Sequence, residues 1–398
     1  MPAKSSRAKS SKDLSKMTDR KNGPGEKIGE AEGFLLEDTA LLLHPSDFQG
    51  HTIRFGPFRK FIRRVITFTY AQHCHEHGIR NTEHKILDIV RSEGVTMVIC
   101  FLSATDFQLS VPFYAGLRQF SKVVFWLADD ATYFDAYSRY YAQAADLMVT
   151  SDPLAVHAYK RLGIRALPHL DVVDNGLLRP MEKRKDIDVL FVGDMSKTGR
   201  AEQIRFLKDN GIDVRDFGTG SSGGAVPFDQ IYDYFCRSRI ILNFTRISEP
   251  SWITSEEPIL NRVRQNNGRP IEVALTGSFC LSEFSPALDS LFRPGEEIAV
   301  FYNKEDLLEK VRYYLAHCEE RERIAGNALK RARADYEPDV AMAATLTKVS
   351  TALAEPFPPV DYGGIYLSRS FRRKTVNSLT FSMFIMLKRG KFRYALET

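Results

Sequence analysis

The sequence predicts an α/β protein built as two doubly wound parallel-sheet domains, and three observations carry that expectation. From residue 83 onward, amphipathic helical patterns alternate with short, continuous apolar runs rich in β-branched residues. That is the pattern of βαβ units on a sheet covered on both faces. A polar stretch, DVVDNGLLRPMEKRKD at 171–186, interrupts the rhythm, which then restarts with DVLFV at 188–192. The length of 398 residues accommodates two such units at ~100–200 residues each.

In chain order, EHKILDIVRSEG (83–94) sets Ile86, Ile89 and Val90 on one helical face, with Gly94 just past its end. VTMVICFL (95–102) reads as a buried strand. A helix around 109–120, the strand KVVFWLAD (122–129), a helix over 133–144, the strand DLMVT (146–150), a helix over 152–162 and a strand near 165–168 follow. The second series has DVLFV, a helix near 199–209, the strand DVRDF (213–217), a helix over 228–237, RIILNF (239–244), a helix over 270–276, SFCLSE (278–283), EIAVFY (297–302) and helices over 304–316 and 319–334. The domains expected are a disordered basic tail at 1–28, an amino-terminal unit at 29–180 and a carboxyl-terminal unit at 181–335. Residues 336–398 supply a helix (338–353) returning to the first unit and a basic amphipathic tail. Two Rossmann-like units of this kind face each other across a cleft at the carboxyl ends of their strands, where such folds bind ligands.

Composition narrows the function classes. The chain is 43% hydrophobic, 26% charged and 11% aromatic, which excludes collagen, a disulfide scaffold and a wholly disordered chain. Its five cysteines (74, 100, 236, 280 and 318) are widely spaced and odd in number, so a reducing compartment, the cytoplasm, is expected. Of the net charge of +5, residues 1–28 hold +5 and residues 369–398 hold +7, leaving −7 on the body between them. An acidic body argues against a nucleic-acid groove. No run of ~20 apolar residues occurs, so no segment is expected to cross a bilayer.

The most informative segment is NGRPIEVALTGSFCLSE (267–283). Pro270 and Gly277 bracket a short helix. Glu272 then lies in its first turn beside Arg269, placed either to stabilise the helix terminus or to accept hydrogen bonds from ligand hydroxyls at the cleft. DVLFVGDMSKTGRAEQI (188–204) is a strand, a turn at Gly193 and a helix opening near Gly199 and Arg200. The amides of that helix start, with Lys197 and Arg200, read as either a diphosphate cradle or a solvated terminus. GTGSSGG (218–224) contains a literal GxGxxG, but Pro227 precedes the next helix and position 238 is serine, so dinucleotide binding is rejected. A flexible loop at the cleft edge, letting a ligand approach Gly218 and Gly220, is the better account. Asp129 and Asp130 close KVVFWLAD, where they serve an acceptor hydroxyl or cap the next helix.

GRPIEVALTGSFCLSE, LFRPGEEIAVFYNKEDLLEKVRYYL and an Arg-rich helix together resemble the carboxyl-terminal domain of group 1 glycosyltransferases of the GT-B fold, closest to the CgeB-like, spore-maturation subgroup. DVLFVGDMSKTGR and RSRIILNFTR resemble the same subgroup, and KVVFWLADDATYFDAYS with AADLMVTSDPLAVHAYKRLGIRALPHLD resembles its amino-terminal domain, so the resemblance spans roughly 83–340. It implies transfer of a sugar from a nucleotide-sugar donor to a glycan, lipid-linked or other cell-surface-precursor acceptor, as in cell-surface polysaccharide biosynthesis. Glu272 matches the second glutamate of the family's Glu-x7-Glu pattern, associated with the donor ribose, whereas the first falls on Arg264. The expected donor-binding set is Gly193, Lys197, Arg200, Gly218, Gly220, Asn243, Arg269 and Gly277, with Glu272, Asp129 and Asp130 as the expected catalytic set. The nucleotide-sugar is a substrate; no cofactor and no obligatory metal are expected. A non-catalytic sugar-nucleotide binding protein and a sugar-nucleotide epimerase of the same architecture are the alternatives.

Two metal-like patterns are set aside. Asp186-Ile187-Asp188 precedes the strand at the sheet edge opposite the cleft, and HCHEH (73–77) places His73 and His77 together on a helix while His75 points away. Two basic amphipathic stretches remain. In FRKFIRRVITFTY (58–70), read as a helix, Lys60, Arg63, Arg64 and Thr67 oppose Phe61, Val65 and Phe68. In the tail, Arg369, Arg372, Arg373 and Lys374 precede LTFSMFIML, with Lys388, Arg389, Lys391 and Arg393 after it. Both stretches, 58–70 and 369–393, either meet an anionic membrane surface or pack on the amino-terminal unit.

Overall fold

The computed structural model describes residues 34–45, 55–102, 107–169, 176, 178–197, 199–246, 264–355 and 364–397; the basic tail expected at 1–28 lies outside them. Two parallel sheets form the frame. The first runs in the order β2-β1-β3-β4-β5-β6. Its strands are β1 (Leu36–His44), β2 (Ile62–Thr69), β3 (Met97–Cys100), β4 (Lys122–Leu127), β5 (Leu147–Thr150) and β6 (Ala166–Pro168). Between them lie α1 (Phe55–Phe61), α2 (Tyr70–His77), α3 (Ile79–Ser92), α4 (Val111–Leu117), a helical stretch over 130–144 interrupted by a π-turn, and α5 (Pro153–Arg161). The second sheet runs β11-β10-β9-β7-β8, from β7 (Ile187–Val192), β8 (Val214–Phe217), β9 (Ser238–Asn243), β10 (Cys280–Glu283) and β11 (Ala299–Phe301). Its helices are α6 (Arg200–Asp209), α7 (Ile231–Arg237), α8 (Arg269–Leu275), α9 (Lys304–Ala316) and α10 (Cys318–Asp335). The chain ends with α11 (Pro338–Ala354), α12 (Arg369–Lys388) and α13 (Phe392–Glu397).

Alternation of side chains across β1 shows why the first sheet is apolar on both faces. Leu41 and Leu43 join Ile86, Val90 and Tyr114 on one side. Ala40 and Leu42 meet Phe55, Phe58 and, from α11, Met342, Leu346 and Val349 on the other. The period of two thus feeds two separate cores. Helix α11 therefore leaves the second sheet and packs on the first, where Lys60 of α1 also bonds Asp339 at 2.8 Å.

The segment 58–70 corrects the helical expectation. Phe55–Phe61 is helical, but Ile62–Thr69 is the parallel edge strand β2, in register with β1 from Thr39↔Arg64 to His44↔Thr69. Ile62, Val65, Ile66, Thr67 and Thr69 are β-branched and so favour an extended partner where β1 offers one. The opposed basic and apolar helical faces do not form; Arg64 instead pairs with Glu93. β1 itself, LEDTALLLH, precedes the strand-and-helix rhythm that begins at residue 83, so no periodicity announces it.

Candidate functional site

The carboxyl end of the second sheet gathers the cations. β7 ends at Val192, and Gly193 turns the chain, its amide donating to the Phe217 carbonyl at 2.9 Å. A Cβ at Gly193 would lie 2.9 Å from the Phe191 ring and 3.4 Å from Arg200 Nη1, so a bare backbone keeps the space in front of Arg200 open. Gly199, with φ of 77°, supplies the left-handed bend from which α6 starts at Arg200. Arg200 is 8% exposed and lies against the Phe191 ring, 5.8 Å from its centroid. Its Nη1 donates to the Asp194 carbonyl at 3.1 Å, while its buried Nε has no hydrogen-bond partner. Burial draws the guanidinium down to about 10, opposed by Asp194 and Glu283.

Helix α8 opens on the same space. Pro270 sits in its first turn, Asn267 Oδ1 accepts from the Arg269 amide at 3.1 Å, and Arg269 Nη1 reaches Glu272 Oε2 at 2.6 Å. Asn243, the last residue of β9, donates to Ser282 Oγ at 2.9 Å. Gly193, Lys197, Arg200, Asn243, Arg269 and Glu272 thus line one cavity of about 230 Å³. Because Arg269 neutralises Glu272, the balance of Lys197 and Arg200 is positive, which suits an anion beside the first-turn amides of α6.

Glu283 at the end of β10 is 1% exposed and accepts from the Thr245 and Arg246 amides at 3.0 and 3.2 Å and from Arg246 Nε at 2.8 Å. Arg264 Nε lies 3.7 Å away, and Arg246 and Arg264 are bridged by antiparallel backbone pairing. The arginine that stands where the resemblance expects a glutamate therefore meets a glutamate from another strand, as a buried charge requires. Nothing local to Glu283 marks Arg246, its partner 37 residues upstream, so the sequence around 283 gives no sign of this role.

A second, smaller cavity of about 90 Å³ lies between the two sheets' edges. Ala128, Asp129, Ser151 and His169 come from the first sheet's side; Gln265, Asn266, Asn267 and Gly268 come from the second. Gln265 Nε2 bonds Asp129 Oδ1, joining the two sides. His169 is buried edge-on to Trp126, ring centroids 4.4 Å apart, and its amide donates to the Thr150 carbonyl at 2.8 Å. His169 and Ser151 follow β6 and β5, so the rule that placed Asp129 at a strand's carboxyl end also reaches them.

Four site residues stand elsewhere. Asp130 is 1% exposed and lines neither cavity; it accepts from the Tyr159 hydroxyl at 3.0 Å inside the first core, correcting its expected reach into the cleft. Burial pushes its carboxyl up to about 6, with the Ser138, Thr150 and Tyr159 hydroxyls restraining the rise. Gly218 packs on Gly193, whose carbonyl would lie 2.2 Å from a Cβ there, and Gly220 faces Met195. The 218–224 loop is closed on itself, with Gly218 N donating to Gly224 O at 2.7 Å and buried Asp216 accepting from Ser222 N at 2.6 Å. It is a braced support for the Gly193 turn rather than a flexible edge. Gly277 ends α8 with φ of 67° against Pro180 and Leu329, away from the cavity.

The set-aside patterns have ordinary partners: Arg237 holds Asp186 at 2.6 Å, Arg239 holds Asp188, the His73 and His77 rings lie tilted with centroids 4.5 Å apart, and His75 bonds Gln108 at 2.8 Å. Among the described residues, no three His, Cys, Asp or Glu side chains are gathered to hold a metal ion.

Residues 175–347 match the model of a family described as glycosyl transferase-like. No curated protein matches the chain by sequence. Among solved structures, Alr3699/HepE from Anabaena in complex with UDP-glucose aligns with a TM-score of 0.58 at 12% identity, covering 79% of this chain and 100% of that one. Sucrose-phosphate synthase from Thermosynechococcus elongatus aligns at 0.55 and 10% identity, covering 79% and 99%. A putative UDP-N-acetylglucosamine 2-epimerase from Listeria monocytogenes aligns at 0.51 and 10%, covering 82% and 99%. The fold is the two-domain α/β GT-B architecture.

Proposed function

We propose that this chain is a glycosyltransferase that takes its sugar from a nucleotide-sugar donor. The observation that carries the reading is the convergence of Lys197, Arg200, Arg269, Glu272 and Asn243 on one cavity at the start of α6, with the buried Arg200 Nε unpartnered. The donor diphosphate lies against Lys197, Arg200 and the α6 amides, and the Glu272 carboxylate, oriented by Arg269, accepts from the ribose hydroxyls. The family match over 175–347 covers this donor side and supports the reading.

The acceptor enters the smaller cavity, whose Asp129, Ser151, His169, Gln265 and Asn266 offer the polar contacts that a polyhydroxylated glycan or lipid-linked precursor needs. Asp129 takes the acceptor hydroxyl proton as the acceptor oxygen bonds the anomeric carbon. The bond from that carbon to the diphosphate breaks, its electron pair passes to the leaving oxygen, and Lys197 and Arg200 stabilise the charge that develops there.

The test is calorimetric titration of the full chain with UDP, GDP and dTDP and their sugars, followed by product analysis. One of them binds and Glu272→Ala weakens it. Absence of binding to all three, with Glu272→Ala indistinguishable from wild type, removes the reading. Binding without transfer or hydrolysis selects the non-catalytic alternative, and an isomerised donor formed without acceptor selects the epimerase.

A further inference from the structure

The carboxyl-terminal helices present a face the reaction does not use. Among the described residues, seven large apolar or aromatic side chains are at least 60% exposed, and five of them, Val376, Phe381, Phe384, Phe392 and Leu396, lie within one 21-residue stretch. Isolated exposed apolar side chains are ordinary, but a cluster on one segment calls for an occupant.

The opposite face shows that this exposure is fixed by packing. Phe371 packs against Tyr140, the rings tilted with centroids 4.3 Å apart, and meets Phe107 at 5.3 Å. Ser368 caps the helix by accepting from the Phe371 amide at 3.1 Å, and the Tyr140 hydroxyl donates to the same Ser368 oxygen at 2.7 Å. Gln108 reaches Ser382 at 3.3 Å, Met386 is fully buried, and Tyr394 of α13 packs over Gly78. With α12 pinned along one side, Val376, Phe381 and Phe384 are held on the other.

Charge selects the occupant. Arg369, Arg372, Lys388, Lys391 and Arg393 are exposed around those apolar side chains, and the acidic residue of the stretch, Glu397, is paired with Arg393 at 3.2 Å. Cations flanking a cluster of exposed apolar side chains match an extended anionic surface with an apolar layer beneath it. Among the described residues, no helix is long and apolar enough to cross a membrane. We infer that α12 and α13 form an interfacial docking face for anionic lipid membranes, with Phe381, Phe384 and Phe392 entering the acyl boundary and the flanking Arg and Lys side chains meeting headgroup phosphates.

The experiment is flotation of the full chain with vesicles of phosphatidylcholine alone or of phosphatidylcholine and phosphatidylglycerol at 7:3, in low and high salt, with nucleoside-diphosphate binding measured in parallel so that this inference and the donor reading fail separately. The chain floats with the anionic vesicles and not with the neutral ones, and salt weakens the association. F381S/F384S/F392S lowers the vesicle affinity at least about tenfold with circular dichroism unchanged, since all three side chains are exposed and support no core. R369E/R372E/K388E lowers it at least as far and removes most of the salt dependence. Flotation that survives the phenylalanine variant, equal partition to neutral and anionic vesicles, capture of RNA with no vesicle binding, or a dimer dissolved by F381S/F384S/F392S would each overturn the inference.

Discussion

The two sheets end in the same way on paper and differently in space. After β4, Asp129 and Asp130 enter a helical stretch at once, and the second carboxylate turns inward to Tyr159. After β7, seven residues from Gly193 to Gly199 intervene before α6, and the turn brings Arg200 round beside Lys197 into a cavity. The first edge offers one exposed carboxylate, the second a pair of cations and helix amides. The lesson is that a repeated βαβ frame leaves the connection after the strand to decide which charge faces the ligand.

The largest effect is expected for Asp129→Asn. If the first edge serves the acceptor, transfer falls by ~10²-fold or more while donor binding is unchanged, the size expected for a lost general base. Equal loss in both measurements would show that Asp129 acts through its bond to Gln265 on the donor side. Next comes Arg200→Ala, expected to weaken nucleoside-diphosphate binding ~100-fold, near the upper end for a charge-assisted contact, with Arg200→Lys recovering part of it. Calorimetry that finds the alanine variant unaltered would strip the second edge of its anion role.

Asp130 supplies a contrast in stability rather than activity. Its carboxyl titrates near 3.8 when unfolded and near 6 when folded, so the folded state keeps a proton that the unfolded state has released. Stability therefore declines as pH rises from about 4 to about 6, by roughly 2–3 kcal/mol. Asp130→Asn abolishes that decline and leaves donor binding as it was; urea midpoints across this range that track wild type would contradict it. The smallest effect is expected for Glu272→Ala, about a tenfold loss in nucleoside-diphosphate affinity and no loss for inorganic pyrophosphate, which lacks the ribose.

Much of the site was legible locally. Pro270 and Gly277 punctuate α8, and the strand-turn-helix reading of 188–204 put Gly193, Lys197 and Arg200 on one edge, because helix starts and strand ends are written in nearby residues. The 58–70 segment was not, since alternation and helical amphipathicity overlap in FRKFIRRVITFTY and only the free edge of β1 selects the strand. His169 and Gln265 met only when the chain closed.

By itself, then, the order of residues determined two α/β units, a cationic turn in the second and a basic amphipathic end, all consequences of periodicity, punctuation and charge over a few residues. The direction of Asp130, the answering of Arg264 by Glu283 and the pinning of α12 through Phe371 were decided by the tertiary structure. Each depends on groups from 19 to more than 200 residues apart, and a partner at that distance is chosen by packing and by the cost of leaving a buried polar group alone.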